Sequence, residues 1–175
     1  MARVRFSAVV LPFIILAAAG FGLVTTTVPA LSQVFGVPVI CGPFDGCQRI
    51  LDAPASRVAG VPIALLGTLL FLTVLVLLHR GGRSATVRRA LITVGIAGSV
   101  ASVALQVAAY RSLGLVCPWC VGAAVSLAVL AGLTWIQHRR TNQRPIPFLA
   151  WVITVVLAAL FIGSEWMMML AQQRA

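Results

Sequence analysis

Five apolar runs, each close to the length of a membrane-crossing helix, alternate with short connectors that carry the arginines, and this alternation leaves few folds open. A helix needs roughly 20 apolar residues to cross the hydrocarbon layer. The runs lie at about 6–28, 61–78, 90–109, 115–136 and 147–170. With 61% hydrophobic and 9% charged residues, the 175-residue chain is too apolar for a soluble domain. The expected fold is an all-α polytopic membrane protein, a single domain over residues 1–175. Ala17-Ala18-Ala19 has the small residues of a leader cleavage site, but the apolar run continues past it, so an uncleaved first helix is expected.

The net charge of +10 does not point to nucleic acid. All thirteen basic residues are arginine, and they cluster in short loops between apolar runs, which is how membrane topology is encoded. The amino end and the connectors at 79–89 and 137–145 hold nine of them; the opposite side holds Arg49, Arg57, Arg111 and Arg174, together with Asp45 and Asp52. The positive-inside rule therefore puts the amino end in the cytoplasm.

Residues 29–60 break the pattern. Pro29, Pro38, Pro43 and Pro54, with Gly36, Gly42 and Gly46, argue against one continuous helix, and an outer loop is expected. Between Cys41 and Cys47, Gly-Pro-Phe-Asp-Gly reads as a tight turn. The following CQRILDA, 47–53, fits a short amphipathic helix with Ile50 and Leu51 toward the membrane and Arg49 and Asp52 in water. Pro62 suits the first turn of the second span, and Tyr110 to Gly114 reads as a very short turn before the fourth.

The remaining two cysteines stand in Cys117-Pro118-Trp119-Cys120, where the fourth run opens. Thiols three positions apart on a first helical turn lie on nearly the same face. The unpaired N–H groups at that end favour a thiolate. By the arginine pattern all four cysteines fall on the non-cytoplasmic side, where disulfides persist. Three plainer readings stand beside a functional one: buried cysteines as small hydrophobes, a Cys41–Cys47 staple for the loop, and a four-thiolate metal site. The staple leaves the second pair unexplained, and the five-residue gap of the first pair exceeds usual zinc-knuckle spacing. The functional reading is a dithiol–disulfide relay passing two electrons by thiolate attack. The chain has no haem ligand set and no dinucleotide fingerprint, which leaves a lipid-soluble quinone as acceptor.

The order of these motifs, CGPFDGC, then SRVAGVPIALLG entering the second run, then CPWC opening the fourth, resembles the vitamin K epoxide reductase family over about residues 5–136. The likeness is to its bacterial, quinone-reducing, disulfide-forming branch; the DsbB type, with its CxxC in the first outer loop, is less similar. The resemblance implies four helices bundled around a quinone, ubiquinone or menaquinone, with a fifth helix beside them. It implies that Cys41 takes attack from a DsbA-like thioredoxin-fold partner, that Cys47 carries electrons to Cys117, and that Cys120 faces the quinone. Trp119, Leu51 and Ala124 are the further candidate quinone contacts. The family's usual Ser or Thr six residues after the second loop cysteine is Ala53 here, with Ser56 three residues on. Many relatives append a thioredoxin-like domain; this sequence stops at Ala175, so a separate partner is expected. The expected setting is a bacterial inner membrane, with lipids and no nucleic acid as partners. The alternatives are reduction of a quinone epoxide by the same cysteines, or a non-enzymatic metal-binding membrane protein.

Outside the cysteines, Glu165 is the one acid inside an apolar run, and its place near the outer end of the fifth favours solvation at the interface over a proton role. Trp119, Trp151 and Trp166 read as interface anchors. His79 and His138, at cytoplasmic helix ends, are not expected to be catalytic.

Overall fold

A computed structural model describes residues 2–39, 46–81, 84–139 and 148–173. It is built from helices: α1 (Ala2–Phe35), α2 (Gly46–Asp52), α3 (Ile63–Gly81), α4 (Ala85–Leu113), α5 (Pro118–Arg139) and α6 (Phe148–Gln173). A single 3-10 turn, Pro54–Ser56, and one small hairpin complete it. Among the described residues three helical stretches, Leu11–Phe35, Ala85–Leu113 and Pro118–Gln137, are long and apolar enough to cross a membrane; Ile63–His79 and Val152–Ser164 are shorter apolar helices. The chain is thus an all-α membrane protein, as its apolar runs predict.

The first helix is longer than expected. Instead of yielding to a loop at Pro29, α1 continues to Phe35 with Pro12 and Pro29 inside it. Proline removes one donor and frees the carbonyl four residues before, a defect that membrane helices tolerate when packing and hydroxyl groups hold the surrounding turns. Val28, Ala30 and Ser32 are all buried just there. One turn earlier the hydroxyls of Thr25 and Thr26 donate to the Gly22 carbonyl at 3.0 Å. What ends α1 is Gly36, whose positive φ of 68° is the left-handed conformation glycine adopts freely. The Ser32 hydroxyl, donating to the Val37 carbonyl at 2.6 Å, fastens the chain as it leaves.

The other boundaries shift for similarly local reasons. Tyr110 to Leu113, read as a turn, prolong α4, which stops at Gly114 (φ 67°), whose N–H bonds the Tyr110 carbonyl at 2.9 Å. The fourth run becomes helical only at Pro118, three residues later than expected. Pro62 lies ahead of α3, not in its first turn: β1 (Arg57–Val58) pairs antiparallel with β2 (Val61–Pro62), Val58 facing Val61. Ala59 (φ 51°) and Gly60 (φ 83°) supply the two positive-φ positions that a two-residue hairpin turn demands.

Helix α1 is the centre of the assembly, packing against α3, α5 and α6, while α4 lies along α5. Close approach is made by glycines. A side chain at Gly22 would overlap the ring of Phe71 in α3, one at Gly122 of α5 would press on Thr25 and Phe21, and one at Gly20 would meet Thr154 of α6. Between α4 and α5, Gly95 faces Leu127 and Ala131, and Gly98 faces Leu127. Small residues let helix backbones come together where lipid offers no hydrophobic drive. Phe71, Ile15, Leu16 and Val28 fill the interior.

Candidate functional site

The outer segment is held in place from both ends. In α2, Gln48 donates through Nε2 to both carboxylate oxygens of Asp52 at 3.1 Å, one helical turn on, and its Oε1 accepts the Val39 N–H at 3.2 Å. Arg49 and Asp52 are exposed while Ile50 and Leu51 are buried, the amphipathic division that CQRILDA predicts. After the helix, the Leu51 carbonyl accepts two bonds, from the Ser56 hydroxyl and from Gln33 Nε2 at 2.6 Å. Gln33 belongs to the last turn of α1, so the segment is tied to the bundle and not simply laid on it. Ser56 therefore spends its proton on backbone. Sequence reasoning passed over Gln33; a polar amide in the last turns of an apolar helix was the signal for it.

Cys47, on the first turn of α2, is fully buried and disulfide-bonded, whereas Cys117 and Cys120 are free thiols. Cys41 lies outside the described residues. Cys47, Ile50, Leu51 and Cys117 belong to one buried apolar cluster that runs down through the bundle, with Trp119 and Cys120 packed against it.

The CPWC motif has a more specific shape than two thiols on a helical turn. Cys117 stands just before the helix, and its carbonyl accepts the Val121 N–H at 3.1 Å. Its sulfur accepts the Cys120 N–H at 3.4 Å. Cys117 is therefore the N-cap, using sulfur where Ser or Asp would use oxygen, and Pro118 occupies N1, where no donor is needed. The Cys117 thiol is lowered from 9.0 to about 7. The largest cause is the hydrogen bond from the Cys120 thiol; the backbone N–H groups of Cys120 and Trp119 add to it, and together they outweigh burial, which acts the other way. At neutral pH such a sulfur is thiolate more readily than an ordinary cysteine.

The other candidates divide. Leu51 and Trp119 lie with the cysteines in the cluster. Ala124 is buried one turn beyond Cys120 on the face of α5 that meets α4, where its carbonyl accepts the Ser99 hydroxyl at 3.3 Å. Trp119 Nε1 is buried with no acceptor among the described residues. An indole N–H left unpaired within the CxxC turn fits a ligand that brings a carbonyl oxygen, as a quinone does. The side chains of Glu165, Trp151, Trp166 and His138 lie outside the described residues.

No curated protein and no solved structure matches the chain. The model of the Vitamin K epoxide reductase family matches residues 13–135, from α1 to the last turns of α5. That stretch is more than half of the chain and contains all four cysteines, the tied outer segment and the capped CPWC turn, and by it this membrane protein belongs to the vitamin K epoxide reductase family, a family of oxidoreductases.

Proposed function

We propose that the chain is a quinone-dependent thiol–disulfide oxidoreductase that reoxidises a DsbA-like thioredoxin-fold partner and so supports disulfide formation. The observation that carries this reading is the contrast between the two pairs: Cys47 is in a disulfide, Cys117 and Cys120 are thiols, and Cys47 and Cys117 share one buried cluster. One pair is oxidised and the other reduced, with the charge of the reduced pair held on Cys117.

The exchange balances as follows. A partner thiolate attacks Cys41, breaking Cys41–Cys47 and freeing Cys47; the partner's second thiol then releases the partner as a disulfide. Cys47 attacks Cys117 of an oxidised Cys117–Cys120 pair, forming Cys47–Cys117 and freeing Cys120. Cys41 closes back on Cys47, and Cys117 leaves as the thiolate that its cap stabilises. Two electrons then reside on Cys117 and Cys120. A quinone held beside the CPWC turn by Trp119 would supply the two-electron acceptor, and Cys117 and Cys120 would give up two electrons and two protons and return to a disulfide. Burial of Cys47 and Cys117 keeps water from the sulfurs during exchange.

In the same reading α3 and α6 also cross the membrane, giving five spans. The amino end is cytoplasmic, and the cysteines face the outside of a bacterial inner membrane. Acyl chains cover the apolar outer surfaces.

Free thiols are titrated in the purified protein before and after addition of a short-chain ubiquinone or menaquinone, with metal content measured in parallel. Quinone-dependent loss of two thiols, and recovery on adding a reduced thioredoxin-fold protein, is the expected result. Thiols indifferent to quinone, with stoichiometric zinc or copper, would overturn the proposal. Consumption of a quinone epoxide with formation of a disulfide would instead assign reduction of the epoxide.

A further inference from the structure

The register between α4 and α5 places an unpaired amide beside the CPWC turn. Three contacts set that register: Gly95 against Ala131, Gly98 against Leu127, and the Ser99 hydroxyl on the Ala124 carbonyl. As numbers rise along α4 they fall along α5, so the helices are antiparallel. Gln106 lies two turns beyond Ser99, and Cys117 lies two turns before Ala124. Each step covers ~10 Å of rise and returns to nearly the same helical face. Gln106 therefore stands level with Cys117 to Cys120, on the side of α4 that meets α5.

Burial agrees with this placement. In the outer half of α4, Val100, Val103, Leu105, Val107 and Tyr110 are exposed, whereas Ser102, Gln106 and Ala109 form a half-buried stripe. Gln106 Nε2 is buried and has no partner among the described residues. The plain role for such a residue is glue, an amide bonded across to the neighbouring helix. An amide acting as glue would have found a carbonyl on α5, and this one has not. Nor is it a donor to the Cys117 sulfur, whose hydrogen bonds come from the Cys120 thiol and the N–H groups of Cys120 and Trp119. Ser56 cannot stand in for it, since its hydroxyl is bonded to the Leu51 carbonyl. An unpaired donor in an apolar setting is costly to keep unless an oxygen arrives to meet it.

We infer that Gln106 donates through Nε2 to a carbonyl oxygen of the quinone that oxidises Cys117 and Cys120, and so positions the ring over the CPWC turn from the α4 side. This rests on the quinone-dependent reading above. Gln106 acts by orienting the acceptor; the electrons come from the two sulfurs alone.

Equilibrium binding of a short-chain ubiquinone and a short-chain menaquinone is followed by tryptophan quenching in the full chain in micelles, alongside the thermal midpoint. Gln106→Met keeps the volume and removes the amide. Its quinone affinity is expected to fall on the order of tenfold, with the thermal midpoint unchanged or raised. Gln106→Glu is expected to bind as wild type while its carboxyl is protonated and donating, and to lose affinity as the pH rises and the carboxylate can only accept. Wild-type affinity in Gln106→Met, or an affinity loss matched by loss of thermal stability and without pH dependence in Gln106→Glu, overturns the inference while leaving the relay intact. Failure of the wild type to bind either quinone or to lose thiols to it removes the underlying reading as well.

Discussion

The backbone N–H of Cys120 reaches the sulfur of Cys117 across 3.4 Å, so the first cysteine of the motif caps the helix that carries the second. The cap joins redox state to local structure: the sulfur that accepts the bond is also the one whose negative charge the helix end favours. Reducing the pair thus yields a thiolate already held in place.

The charge on Cys117 depends first on its neighbour's thiol. Cys120→Ala removes that donor and leaves burial to act against the backbone N–H groups. The Cys117 midpoint is expected to climb from about 7 toward or beyond the ordinary thiol value, so the thiolate fraction at neutral pH drops about tenfold or more. Thiolate ultraviolet absorbance of the reduced protein against pH, with Cys117→Ser as blank, measures it; an unmoved midpoint would mean that the N–H groups alone set the charge.

Removing the second loop cysteine should stall exchange at its first step. In Cys47→Ser, Cys41 is a free thiol whose thiolate attacks the disulfide of an oxidised thioredoxin-fold protein, and with no second loop cysteine to resolve the product a covalent complex is expected to accumulate, visible on a non-reducing gel. Cys120→Ser should accumulate no quinol while its loop pair still reacts with the partner. Equal complex formation in wild type and Cys47→Ser would count against Cys41 as the entry point.

The contact between Gly22 and the buried Phe71 ring has no room for a methyl group. Gly22→Ala is expected to cost about 1–3 kcal/mol in micelle unfolding, the penalty of overpacking a close helix crossing. Gly132→Ala, whose added carbon meets nothing, should be neutral or stabilising through helix propensity.

Two side chains share the Leu51 carbonyl, so each shields the loss of the other. Ser56→Ala alone is expected to cost about 0.5–1.5 kcal/mol, whereas Ser56→Ala combined with Gln33→Leu leaves that carbonyl without either donor and should exceed the sum of the singles. Limited proteolysis within 36–62 and the rate of Cys47-to-Cys117 exchange report it. Strict additivity would show that the two bonds do not act together.

Much of the protein was legible in one dimension. Apolar runs near the membrane thickness announced an all-α membrane protein, because lipid leaves a chain few ways to satisfy its backbone. The alternation in CQRILDA announced α2, because four consecutive residues suffice to separate a wet face from a dry one. Pro118 and the cysteine spacing announced the opening of α5, although not that Cys117 would be its cap.

What the linear pattern could not decide is whatever depends on a second element. Pro29 signals a break to any local rule, yet burial of Val28, Ala30 and Ser32 carries α1 through it to Gly36. Ala124 looks one turn from the sulfurs, but only the packing shows its carbonyl engaged by Ser99 of α4. Gln33 and Gln106 are single amides in apolar helices, alike in sequence. One is bonded to Leu51 and the other lies unpaired at the level of the cysteines, because helix register is set by glycines and hydroxyls on neighbouring helices. Composition and periodicity determined that helices would form, and the motif that Cys117 and Cys120 would stand where one begins; only the packing of one helix on another decided which polar groups meet them.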